Sequence, residues 1–226
     1  AGFTEGADPE YEEQILPLAA AHLAGVRRVL DIGTGEGQVA RLAHSLGAVV
    51  TGVDPTWAQL VAARERAGGP SYARAEAAAL PFADGTFDAV VACLVFEHID
   101  DVDAAVAEVA RVLHPSEGRF LFFLNHPLLQ TPGSGWIDDR ILDEQYWRVG
   151  PYLREDKAVE EVEKGVFIPF VHRPLSRYVN ALADNGLVVT RMEEPAPPPG
   201  FLARTHEYHD AAAIPRLLFL RAEGPR

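Results

Sequence analysis

The 226-residue chain predicts an α/β fold, a doubly wound and mostly parallel sheet of seven strands flanked by helices. Three observations carry that expectation. Short apolar runs alternate with amphipathic helical patterns along most of the chain. The runs include Phe87 to Leu94, apolar almost without interruption, as a strand covered on both faces must be. The first of them ends in Asp31-Ile32-Gly33-Thr34-Gly35-Glu36-Gly37, a glycine-rich turn opening directly onto a helix. Glycine is needed where backbone turns sharply against a ligand, and a helix start points free N–H groups at the same crevice. Such a sheet carries its site at the C-terminal ends of its strands.

Taken in order, Asp8-Pro9 begins a helix in which Tyr11, Ile15, Leu16 and Leu18 form an apolar face, so residues 1–22 read as an N-terminal helical segment. It is expected to pack on the sheet edge, or to cover the crevice with Tyr11 as a contact. Val26 to Ile32 is the first strand. Val39, Leu42, Ala43 and Leu46 mark the helix after it, closed by Gly47 as a left-handed cap. Ala48 to Val53 forms the second strand and ends at Asp54. Pro55 suits the start of the next helix, since it lacks an N–H that the first turn would leave unpaired. That helix stops at Gly68-Gly69-Pro70. A short third strand surrounds Tyr72, and the turn Asp84-Gly85 precedes the fourth, Phe87 to Leu94. Asp100 to Asp103 offers N-caps for a helix with Val102, Val106, Val109 and Leu113 on one face. Arg119 to Leu124 is the fifth strand.

From Asn125 to Phe170 the pattern breaks. The stretch is too rich in aromatics, with Trp136, Tyr146 and Trp147, to be a disordered linker, and too long for a purposeless loop. It reads as a substrate-covering insertion within a single domain of residues 1–226. Its three aromatics are either core beneath a long loop or a pocket wall. Pro174 to Ala183 is then a helix, Leu187 to Met192 and Pro215 to Leu220 are the last two strands, and Glu193 to Gly200 between them is extended and irregular.

Asp31 discriminates among glycine motifs. An acid two residues before the first glycine is misplaced for gripping a pyrophosphate and well placed to pair with a cationic amine. Asp31-x-Gly33-x-Gly35-x-Gly37 resembles the first motif of the class I S-adenosylmethionine (SAM)-dependent methyltransferases. Val53-Asp54, Ala75-Glu76-Ala77 with Leu80-Pro81-Phe82, Phe87 to Ala92 and Phe96-Glu97-His98 resemble the motifs that follow, in order and at suitable spacing from Val26 to Leu124. Glu76 stands where that family more often has aspartate, an acceptor on a longer arm. The resemblance implies a Rossmann-like sheet with an antiparallel last strand, SAM as cofactor and S-adenosylhomocysteine (SAH) as product. It implies cofactor contacts from Asp31 to the amine with backbone near Cys93, from Asp54 to the ribose, and from Glu76 and Ala77 to the adenine. Gly33, Thr34, Gly35, Gln38 and Pro55 complete the implied set. The acceptor implied is a small molecule, most plausibly methylated at oxygen; the amino-methylating Asn-Pro-Pro-Tyr-type signature is absent, and Leu94-Val95-Phe96-Glu97 stands in its place.

Composition narrows the partners. Lys and Arg total 20 against 33 Asp and Glu, a net charge of −13, which repels nucleic acid on average. No run of about 18 apolar residues would span a membrane. One cysteine, Cys93, excludes an internal disulfide, and the first residues lack the pattern of a signal peptide, so a cytoplasmic location is expected. Oligomeric state stays open.

His126, in Asn125-His126-Pro127 just past the fifth strand, is the candidate general base for a hydroxyl acceptor; the competing reading is a histidine that shapes the turn before Pro127. His98 is structural or cofactor-adjacent first and catalytic second. His172 reaches the site only if the insertion folds back. Cys93 acts as a small apolar residue, and Asp100, Asp101, Asp138 and Asp139 read as caps and loop charges, with no metal expected. Two rivals stand beside a methyltransferase: an NAD(P)-dependent oxidoreductase, against which Gly-x-Gly-x-Gly in place of Gly-x-Gly-x-x-Gly counts, and a non-catalytic cofactor-binding module.

Overall fold

A computed structural model describes residues 8–224 apart from Lys164, His206, Glu207 and His209. The first seven residues of the expected N-terminal segment lie outside it. The chain enters through one turn of π-helix, Tyr11–Ile15, and continues as α1 (Leu16–Leu23). Then β1 (Arg28–Ile32), α2 (Gln38–Ser45), β2 (Val49–Asp54), α3 (Trp57–Glu65) and β3 (Ser71–Arg74) follow. The second half of the sheet begins with β4 (Ala89–Cys93), α4 (Val102–Val112) and β5 (Arg119–Asn125). Gly47 does take a positive φ of 95° behind α2. Pro55 does not open α3: Thr56 is the cap and Trp57 the first helical residue, while the Asp54 carboxylate accepts the Thr56 amide at 2.8 Å and folds the intervening turn.

The stretch expected to be irregular holds two antiparallel hairpins, β6 (Gly135–Asp139) with β7 (Glu144–Arg148), and β8 (Asp156–Glu163) with β9 (Val166–His172). After α5 (Leu175–Asp184) come β10 (Val188–Glu193), the short α6 (Pro199–Leu202) and β11 (Leu217–Glu223). The seven-stranded sheet runs β10-β11-β5-β4-β1-β2-β3, with β11 antiparallel to both its neighbours and the other pairs parallel.

Strand alternation divides the core. Phe120, Phe122 and Leu124 of β5 face α4 and α5, while Leu121 and Phe123 join Val29, Val91 and Phe219 against α1 and α2. Phe122 is fully buried between Phe96 and Tyr178, so truncating it to alanine would cost about 3–5 kcal/mol. Strand order reverses between β1 and β4, where Asp31 pairs in register with Val91. A doubly wound sheet splays its connections apart at that point and leaves a crevice.

Candidate functional site

A cavity of about 930 Å³ occupies the crevice, over the C-terminal ends of β1, β2, β4 and β5. Every residue expected to hold the cofactor lines it: Asp31, Gly33, Thr34 and Gly35 with Gln38 from the glycine turn, Asp54 and Pro55 after β2, Glu76 and Ala77 after β3, and Cys93 at the end of β4. Asp31 is 2% exposed. Its Oδ2 accepts the Thr34 hydroxyl at 2.7 Å. Burial nevertheless pushes its carboxyl up to about 7, since Thr34 and the Ala40 backbone offset only part of the desolvation. A buried acid whose partners are all neutral suits a cationic ligand. The Asp54 Oδ2 accepts the Gly35 amide at 3.1 Å, which ties the glycine turn to the end of β2.

Two glycines make the cradle. At Gly33, with φ of 65°, a Cβ would run into the side chain of Val95. At Gly35, with φ of 52°, a Cβ would meet nothing within 4 Å and would project into open space beside the cavity. Tyr11 also lines the crevice. Its hydroxyl accepts the Cys93 thiol at 3.4 Å, and burial pushes both groups' pKa values upward, so each stays neutral at physiological pH.

The chemistry expected of His126 is corrected by the structure. Its imidazole is 3% exposed and does not line the cavity. Nδ1 accepts the Leu128 amide at 3.2 Å, which leaves the proton on Nε2, and Nε2 donates to Glu194 Oε1 at 2.7 Å. No lone pair is left for an acceptor hydroxyl, so His126 shapes the turn after β5. His98 is arranged the opposite way. Its Nδ1 lies 2.9 Å from the Pro169 carbonyl, which can only accept, so Nδ1 carries the proton and the neutral ring keeps its lone pair on Nε2. The side chain lines the cavity. His172 sits in a separate small recess with Glu97, its Nε2 donating to the Tyr152 carbonyl at 2.8 Å.

The insertion supplies one wall, through Phe167, Ile168 and Pro169 of β9. The aromatic trio does not. Trp136 pairs edge-on with Trp147 and stacks on Tyr208 at 4.9 Å, and Tyr146 is 47% exposed. Asp101 caps α4 through the Ala104 amide, Asp100 pairs with Lys157, and Asp139 accepts the Ile141 and Leu142 amides in the β6–β7 turn. Among the described residues no three potential metal ligands cluster.

A methyltransferase-domain family profile matches residues 30–122, the stretch that builds this crevice. A crystal structure of a SAM-dependent methyltransferase from Mesorhizobium loti superposes with a TM-score of 0.76 at 28% identity, over 91% of this chain and 95% of that one. Residues 30–122 thus match a methyltransferase domain, and the fold around them is similar to that of a SAM-dependent methyltransferase. The chain is 37% identical over 134 residues to a ubiquinone/menaquinone biosynthesis C-methyltransferase of Methylobacterium nodulans, covering 56% of this chain and 51% of that protein. It is 35% identical to the demethylmenaquinone methyltransferase of Thermus thermophilus over 51% of this chain and 54% of that protein. The chain spans about half the length of the curated relatives it matches. SAM, the cofactor in the name of the Mesorhizobium neighbour, fits the open face of Gly35 and a buried Asp31 whose hydrogen-bond partners are neutral.

Proposed function

We propose that the chain transfers a methyl group from SAM to the hydroxyl oxygen of a small, neutral or cationic acceptor. His98 carries this reading, as the side chain that combines a place in the cavity with a fixed tautomer and an uncommitted ring lone pair. When bound, the cofactor supplies a methyl group on a positively charged sulfur that departs with the bonding pair as SAH. Asp31, Asp54, Glu76 and the glycine turn hold it. His98 Nε2 takes the acceptor's proton as the oxygen commits its electron pair to carbon. Residues 125–170 act as the substrate-covering insertion of one methyltransferase domain, and residues 1–22 as its N-terminal segment.

The cavity lies near the upper end of the range for small-molecule sites and has room for cofactor and acceptor together. Acidic groups dominate its polar lining. Arg216, the arginine among them, is engaged by Glu10 at 2.6 Å. Anionic acceptors and nucleic acids are therefore disfavoured. The name of the Methylobacterium relative, a C-methyltransferase, favours a second reading, a carbon acceptor.

The test is SAH release on a panel of phenols, hydroquinones and amino alcohols, with the methylated atom assigned by carbon-13 NMR from labelled SAM. His98→Ala should lower the rate by roughly 10²–10⁴-fold with cofactor affinity unchanged. An unaltered rate would remove His98 from the chemistry, and exclusive C-methylation would replace the oxygen reading. A panel without turnover, with SAH binding intact, would favour the cofactor-binding module instead.

A further inference from the structure

The end of β5 presents a second polar group to the cavity that the chemistry above leaves unused. Asn125 lines it, and behind Asn125 stands Glu97, 3% exposed in the short helical turn after β4. Glu97 Oε1 accepts twice from one residue, from the Asn125 backbone amide at 3.2 Å and from its side-chain Nδ2 at 2.7 Å. The backbone N–H can only donate, so Oε1 is an acceptor, and the amide NH2 of Asn125 must turn toward it. The amide oxygen then points the other way. Glu97 Oε2 is buried without a hydrogen-bond partner, and burial raises the carboxyl's pKa, so a proton retained by the group has its place on Oε2 and leaves Oε1 accepting.

We propose that Asn125, aimed by Glu97, is a recognition residue of the acceptor subsite, its Oδ1 accepting the hydrogen carried by the nucleophilic atom in the bound complex, before His98 Nε2 takes that proton during transfer. The ligand class is therefore a protic nucleophile, O–H or N–H, held with its lone pair free for the transferred carbon. Glu97 acts through Asn125 and is a positioning residue. This rests on reading the cavity as a methyl-transfer site, and it divides protic acceptors from carbon acceptors, which bring no such hydrogen.

The test needs no identified acceptor. Sinefungin carries an amine-bearing carbon where SAM carries its methylated sulfur, so its N–H groups occupy the direction of transfer; SAH has nothing there. Calorimetric affinities of both, on the full chain, give a sinefungin-over-SAH preference. Asn125→Ala should lower that preference by roughly ten-fold or more, the loss of a hydrogen bond to a charged group, with SAH affinity within about three-fold of wild type. Glu97→Met should do the same. Glu97→Gln, which can still offer an oxygen to the Asn125 amide, should retain the preference, and this pair of variants decides the matter if Asn125→Ala fails to fold. A preference that survives Asn125→Ala or Glu97→Met would overturn the inference. So would SAH affinity falling in step with sinefungin's, which marks a purely structural role. A wild-type chain that binds neither would overturn this inference and the proposed function together.

Discussion

Cofactor binding should release a proton, and Asp31 is the reason. With no cationic ligand beside it, burial holds this carboxyl at about 7, against 3.8 for an exposed aspartate. Between about pH 4 and pH 7 the folded chain therefore keeps a proton that the unfolded chain has lost. Stability contributed at this site is fully present below pH 4 and falls as pH rises toward 7, by up to about 4 kcal/mol for a gap of roughly three pH units. A ligand ammonium favours the ionised acid and reverses that penalty. Only the ionised fraction is competent, so apparent affinity for SAH should be roughly 20–30-fold weaker at pH 5.5 than at pH 7.5. Calorimetry at pH 5.5–6 in buffers of different ionisation enthalpy should report close to one proton released per SAH bound. Asp31→Asn should flatten the pH dependence and weaken binding at pH 7.5 by on the order of 1.5–3 kcal/mol. Affinity independent of pH across this window, with no proton released, would refute both the buried-acid argument and the pairing of Asp31 with the cofactor's amine.

Three further outcomes follow from the same geometry. Gly35→Val should weaken SAH binding about as much as Asp31→Asn, because its side chain enters the cavity and its φ is one that valine resists; unchanged calorimetric affinity would show that the cofactor does not pass this turn. His126→Ala should leave SAH affinity near wild type while lowering stability by about 1–3 kcal/mol, since Glu194 and the Leu128 amide lose a partner; a thermal melt checks the first effect against the second. In hydrogen exchange, β8–β9 should gain protection on binding cofactor and acceptor, because Phe167 to Pro169 form the cavity wall, whereas the exposed β6–β7 tip at Ile141 should stay unprotected; full protection of β8–β9 without ligand would make it static core.

The sheet was legible because its strands are buried on both faces and announce themselves as unbroken apolar runs. Val90-Val91-Ala92 and Phe120 to Leu124 leave no other reading at that length. The two hairpins were not legible, for the same physical reason in reverse. β8, Asp156 to Glu163, is one strand of a two-stranded ribbon whose residues 156–159 are exposed; its valines and alanine are interrupted by lysine and glutamate, and no burial pattern marks it as a strand. Pro169 within β9 further argues against a strand by composition, though an edge position tolerates it. The aromatic trio misled because residue type states that a side chain needs cover without saying what covers it. Trp136 is covered by Tyr208, more than seventy residues away in sequence and invisible to any local pattern.

The end of β5 shows how narrow the margin is at the site itself. The apolar run stops at Leu124, so Asn125-His126 reads as a loop in which the histidine, the better base, is the attractive choice. The strand in fact continues for one more residue, because Asn125 pairs in register with Leu217 of β11. In a strand, a one-residue displacement exchanges the two faces. Asn125 therefore meets the cavity, and His126 turns behind it toward Glu194, where its backbone amide is also held by the Arg216 carbonyl at 2.7 Å. His98, the base proposed above, owes its tautomer to a carbonyl on β9, inside the segment that the sequence could not resolve into strands. The residues proposed to hold the cofactor sit in motifs that are each local in sequence, a strand end and the turn after it. Acceptor chemistry depends on contacts between β4, β5, the N-terminal segment and a hairpin about seventy residues away, so composition can nominate its residues but only packing can aim them.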